Sequence, residues 1–253
     1  MSRRKSGKRR SSSKKHDPIL FIVLSGIIIM FFQIISKLIL ILFNYIIYLK
    51  SGYKDKTKTG FLKMYFDRGL YGEFKFYTSL IKHISKDNVL LNLYLPNINT
   101  EFTEIDIVGI TTKGVYVFEV KNYRGWIYGS ENQQYWTQVF NKNSKFKFYN
   151  PVRQNYAHTK AIESFLEIDN DKIIPIISFS DQCRLKKIDI KENTIIYNNH
   201  KALKFVRHLE KNRVDILTES EVSKYLELLS TRIHATKEVK EKHILDVEEL
   251  VNK

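Results

Sequence analysis

Asp106, Glu119 and Lys121 are the residues of this chain whose types and spacing could do chemistry. They lie in the run EIDIVGITTKGVYVFEVKNYRG, residues 104–125. Two stretches rich in β-branched and aromatic residues, 105–110 and 115–121, flank Thr111-Thr112-Lys113-Gly114, which is the pattern of a β-hairpin. With a two- or four-residue loop, Ile110 faces Val115, Val108 faces Val117 and Asp106 faces Glu119. Directly opposed side chains have Cβ atoms about 4.5–5.5 Å apart, and Lys121, two residues on, points to the same face as Glu119. A three-residue loop would shift the pairing by one and separate the carboxylates.

Opposed carboxylates repel across a ladder, and burying them unpaired is costly. A divalent cation removes both objections. Two carboxylates with water and substrate oxygens suit Mg²⁺ or Mn²⁺, with Asp106 and Glu119 as ligands. Such a metal positions and acidifies a water and offsets charge on a phosphate oxygen, while Lys121 orients that water or neutralises developing charge. The competing reading is a structural lysine–carboxylate pair at a sheet edge.

The pattern Asp-x12-Glu-Val-Lys, preceded by a helix with Glu73, resembles the PD-(D/E)xK nuclease superfamily and, within it, the NERD (nuclease-related) domain. The stretches that carry the resemblance are GLYGE (69–73), EIDIV (104–108), GVYVFEVKNYRGWIYG (114–129) and NPVRQNYAH (150–158). The resemblance implies a restriction-endonuclease-like α/β core, with Asp106 and Glu119 as metal ligands and Lys121 as the catalytic lysine. It also implies Glu73 as the helix acid and Gln154 as the polar residue on the following helix. The Pro that often precedes the Asp is replaced by Ile105.

The elements that must position these groups can be read around them. Residues 61–84 carry apolar side chains at helical spacing (Phe66, Leu70, Phe74, Tyr77, Ile81), with Gly69 and Gly72 interrupting. Residues 89–95 form a strand. Both faces of the hairpin are apolar: Val108, Ile110, Val115 and Val117 on one, Ile105, Ile107, Tyr116 and Phe118 on the other. That places it mid-sheet, covered on both sides. Asn150-Pro151 reads as a helix start, and Gln154 and His158 share one face of that helix. His158, Arg124 and Asn122 are weaker substrate-contact candidates, and Tyr123 or Trp126 could stack on a base, with ordinary packing the alternative for each. Further strands at 172–180 and 194–199, a helix at 201–209 and a capping box at Thr218–Glu221 complete one α/β domain over 61–235, a central mixed sheet flanked by helices with its motif core at 65–170. Residues 236–253 form a charged tail.

The remainder of the chain is an anchor. Residues 18–49 hold one charge, Lys37, in 32 positions, enough for one bilayer span and too little for two. Tyr45 and Tyr48 fit an interfacial aromatic belt. The tail 1–17 has eight Lys/Arg and no apolar pattern, which predicts disorder and contact with anionic headgroups. Residues 50–60 read as a basic linker. The net charge is +15, of which the tail holds +7, so the rest is moderately basic and allows a polyanionic partner. Basic residues on both sides of the span leave the side facing the soluble domain open. One cysteine, Cys183, excludes a disulfide framework and a thiolate zinc site. Two functions follow: a membrane-anchored, single-pass Mg²⁺- or Mn²⁺-dependent nuclease acting on DNA (or RNA), or a non-catalytic nuclease-like module binding nucleic acid or protein at the membrane. Oligomeric state is not legible.

Overall fold

The computed structural model describes residues 18–97, 101–141, 144–191 and 194–233, with Val239, Lys242 and Leu245. The expected disordered tail 1–17 and most of the charged tail 236–253 lie outside the described residues. The chain forms two compact units, Met1–Ile46 and Ile47–Lys253.

The first unit is most of helix α1 (Pro18–Ser51). Residues 22–51 contain an 18-residue stretch with a mean hydropathy of 2.5 and are long and apolar enough to cross a membrane. Its large apolar side chains are bare, among them Ile22 at 68% and Phe32 at 64% exposure.

The second unit begins in the last turn of α1, where the sequence suggested membrane surface and linker. Tyr48 is 3% exposed and donates its hydroxyl to the Thr59 carbonyl at 2.7 Å, so it belongs to this unit's core and not to an aromatic belt. Residues 50–60 hold helix α2 (Tyr53–Thr57), whose Tyr53 ring is buried edge-on against Phe74. Two helices, α3 (Phe61–Phe66) and α4 (Arg68–Leu80), replace the single helix expected over 61–84. The break is at Asp67, whose carboxylate accepts from Leu70 N at 3.0 Å and caps α4.

A five-stranded mixed sheet follows, in the order β1 (Val89–Pro96), β2 (Phe102–Thr111), β3 (Gly114–Lys121), β7 (Ile173–Phe179), β9 (Ile195–Asn198). The first three strands are antiparallel, and β7 and β9 run parallel to β3. Central β3 is buried along almost its whole length, as an apolar run on both faces requires. One face packs on α4 and α6 (Asn199–Asn212) through Phe74, Leu80, Phe118 and Val206. The other packs on α5 (Pro151–Leu166) and α7 (Glu219–Ser230) through Val117, Ile162, Tyr225 and Leu229. Thr218 and Glu221 form the expected capping box.

Residues 125–149, unassigned from the sequence, make three strands of a second sheet. Its order is β6 (Ser144–Tyr149), β5 (Tyr135–Asn141), β4 (Gly125–Ser130), β8 (Cys183–Asp189). One face buries Ile127, Trp136 and Cys183 against Phe179 of the first sheet. Burial raises the Cys183 thiol to about 11, leaving it unreactive.

Candidate active site

The β2–β3 hairpin turns on the two residues Thr112-Lys113, and the ladder has the expected register from Thr111↔Gly114 to Ile107↔Phe118. Regular pairing stops one step short of the acids. There the Asp106 side chain takes over, its Oδ2 accepting from Val120 N at 2.9 Å. The other side of β2 is irregular at the same level. Asn92, between the pairs Leu91↔Ile107 and Leu93↔Ile105, has φ +53°, a left-handed conformation that Asn tolerates better than other non-glycine residues. It reverses the alternation of faces. Leu91 and Ile107 enter one core, whereas Leu93 and Ile105 enter the other. Ile105 therefore lies on the opposite face from Ile107, contrary to simple alternation, because the ladder kinks at Asn92 and Asp106.

Glu119 is fully buried. Its Oε1 lies 2.5 Å from Lys121 Nζ and its Oε2 lies 3.3 Å from His158 Nδ1. Lys121 Nζ also donates to Gln154 Oε1 at 3.0 Å. Gln154 and His158, one turn apart on α5, thus both reach the β3 groups. The N-cap Asn150 aims them. Its Oδ1 accepts from Val152 N at 2.9 Å, and its Nδ2 donates to the carbonyls of Ser130, Glu131 and Gln133 in the β4–β5 turn.

Glu73 comes from α4, and a glycine sets its approach. A Cβ on Gly72 would stand 2.3 Å from Asn122 Cβ, and Asn122 Nδ2 donates to the Arg68 carbonyl at 2.6 Å. The residue before Glu73 is therefore locked onto the residue after Lys121. Asn122, a substrate-contact candidate in the sequence, is committed to this lock.

The electrostatics follow from crowding. Burial, then the charges of Glu104 and Glu119, raise Glu73 to about 7 against the pull of Lys121. Asp106 is raised well above the carboxylate range by burial, then by Glu119 and Glu73. Burial disfavours the Lys121 ammonium, but Glu119 and Asp106 more than offset it, so Lys121 remains protonated with its pKa above the usual value. Glu73, Asp106, Lys121 and Arg124 open onto one cleft of about 680 Å³.

This donor set is short of positive charge, since Lys121 and His158 both serve Glu119 while Glu73 and Asp106 carry the cost of mutual repulsion. A divalent cation would supply what is missing. Among the described residues no three His, Cys, Asp or Glu side chains converge as a ready ligand group. Mg²⁺ binds through one or two carboxylates and keeps several waters, so the oxygens of Asp106 and Glu119 fit it without a third ligand.

The structure brings Asp106, Glu119, Lys121, Glu73 and Gln154 together. Arg124 lines the cleft, with its guanidinium over the Phe140 ring at 5.4 Å. His158 is 2% exposed, so it serves Glu119 and has no path to a substrate phosphate. Tyr123 packs against Phe148 and Phe179 and also lines the cleft. Sequence reasoning missed Glu104, whose place two residues before Asp106 was the available signal. It also missed the His158–Glu119 contact and the Asn150 clasp, which cross elements far apart in the chain.

Residues 68–180 match the family model described as the nuclease-related domain, NERD. An uncharacterized protein of Bacillus anthracis is 45% identical over 100 residues, 38% of this chain and 46% of that protein. The chain thus covers less than half the length of that relative. A crystal structure of a protein of unknown function, AF1548, aligns over 74% of this chain and 100% of that chain at 12% identity. Its TM-score of 0.31 is too low to bear on function.

Proposed function

With a nuclease-related domain at residues 68–180 as the premise, we propose that this protein is a membrane-anchored, Mg²⁺-dependent nuclease hydrolysing phosphodiester bonds in DNA or RNA. The observation that supports this most is the meeting of Asp106, Glu119, Lys121 and Gln154 from three separate elements beside one cleft, which Asp106 and Lys121 line. The bare apolar length of α1 supports the anchor.

Asp106 and Glu119 would hold the metal, which when bound orients and acidifies a water and offsets phosphate charge. Lys121, kept protonated, presents an ammonium to an approaching phosphate oxygen. Gln154 fixes its direction by accepting one of its hydrogen bonds. His158 Nδ1 lies 3.3 Å from the far oxygen of Glu119, which limits how far that carboxylate can turn. Glu73, raised to about 7, lines the cleft and can exchange a proton near neutral pH. Arg124 adds a second cation at the rim.

A second reading has its own observation. Both Glu119 oxygens already face a cation or an imidazole, so its charge is answered without a metal, as a non-catalytic binding module would allow. One experiment separates the two. The full chain in detergent is incubated with linear, nicked and single-stranded DNA and with RNA, with and without Mg²⁺ or Mn²⁺. We expect metal-dependent cleavage that falls by roughly a hundredfold or more in Asp106→Asn and in Lys121→Ala. Absence of metal-dependent cleavage, or cleavage unchanged in both variants, overturns the nuclease. Binding without cleavage supports the module.

A further inference from the structure

The outer face of the second sheet has no part in the cleft chemistry, yet its composition is unusual. Register fixes which side chains share it. Arg184 pairs with Trp126, Trp126 with Val139, and Val139 with Lys145, which makes one row across four strands. The next row runs Tyr128, Thr137, Lys147. Partners in a ladder project to the same side, so Arg184, Trp126, Lys145 and Lys147 lie on one face. Lys186 joins them, its ammonium 5.6 Å from the centre of the Trp126 ring. The opposite face is the one that buries Ile127 and Trp136.

Trp126 is 45% exposed in the middle of this face. All four cations are exposed, and none is ion-paired among the described residues. Arg184 to Lys145 is three inter-strand steps, about 14 Å. Beside edge strand β8 a cavity of about 390 Å³ is lined by Arg184, Lys186 and Lys201. Cations flanking an exposed aromatic ring on a flat sheet match what a single nucleic-acid strand needs, phosphates at the sides and a π-face for a base. Chain continuity ties this surface to the cleft, since Arg124 at the rim is only two residues before Trp126.

We propose that the outer face of the β6-β5-β4-β8 sheet is a binding track for single-stranded nucleic acid, with a base stacked on Trp126 and phosphates on Arg184, Lys186, Lys145 and Lys147. This deepens the nuclease reading and rests on it for the class of substrate. Lys186 lies over the indole when the track is empty. An entering base displaces the ammonium to its own phosphate, so the two functions of the face are coupled. A bilayer surface would also attract these cations. Insertion into lipid, however, needs protruding apolar side chains, and the indole here lies within a flat ladder.

The chain has two tryptophans, and Trp136 is fully buried, so a change in fluorescence on binding reports Trp126. The full chain in neutral detergent with EDTA is titrated with a short oligothymidylate. Quenching is expected in the native chain and its loss in Trp126→Ala, with affinity weakened about tenfold. The double variants Arg184→Ala/Lys186→Ala and Lys145→Ala/Lys147→Ala should bind more weakly and with a shallower salt dependence. Asp106→Asn should keep full quenching, so a failed cleavage assay and a failed track are told apart. Three results overturn the proposal: no quenching, native affinity in every face variant, or face variants that lose phosphatidylserine vesicles but keep the oligonucleotide.

Discussion

At the scale of single residues, the carboxylates carry a cost that pH can reveal. Glu73 titrates at about 7 in the folded chain against an ordinary value of 4.5, first because it is buried and then because Glu104 and Glu119 repel its charge. The folded state therefore holds a proton that the unfolded state releases between these values. Stability falls as pH rises through that window and is constant above it, with a cost of about 3 kcal/mol at most. Asp106 adds to the loss in the same direction. Thermal melts in EDTA should show falling stability from pH 5 to pH 8, and Glu73→Gln should flatten the curve and raise the melting temperature at pH 8. An unchanged pH profile in Glu73→Gln would show that this carboxyl is not the strained one. Added Mg²⁺ should recover stability at pH 8 in the native chain, because a ligand that binds only the folded state shifts the equilibrium toward it.

At the scale of elements, what matters is how α4 and α5 are fastened to β3. Gly72→Ala puts a Cβ onto Asn122, so α4 must back away and carry Glu73 with it. Overpacking of this kind costs about 1–3 kcal/mol, and Gly72→Ala combined with Asn122→Gly, which removes the Cβ it would strike, should recover part of it, read by thermal denaturation. Gly72 looked from the sequence like an interruption of a helix, and it is the contact that makes the helix useful. The local signals were legible. The hairpin register followed from loop length, the α5 cap from Asn150-Pro151, and the α7 cap from Thr218 and Glu221. Less legible were features created by pairing across distance. The face switch at Asn92 depends on a left-handed residue that sequence alternation cannot show. The second sheet depends on β8, which lies beyond α5 and β7 in the chain, so residues 125–149 gave no coherent pattern when read alone. His158 looked like a surface candidate because nothing in its own helix announces Glu119.

At the scale of the whole molecule, the boundary between the apolar amino-terminal unit and the second unit falls inside a helix. Tyr48 and Tyr53 are core residues of the unit Ile47–Lys253, and the Tyr77 hydroxyl donates to the Ser51 carbonyl at 2.7 Å. A chain beginning at Lys54 discards both aromatic rings, each worth several kcal/mol when buried. It should melt roughly 10 °C or more below one beginning at Ile47; equal melting temperatures would show that the last turn of α1 is dispensable. The order of the strands also has a consequence in time. β1, β2 and β3 are neighbours in sequence and pair as a meander, whereas β7 joins β3 only after roughly 50 intervening residues close as a loop. Local pairing of the meander brings Asp106 and Glu119 to the same end of the β2–β3 ladder, whereas Gln154 and His158 come from α5, further along the chain. The contacts that α5 makes to Glu119 and Lys121 thus depend on the long-range closure that lays β7 beside β3.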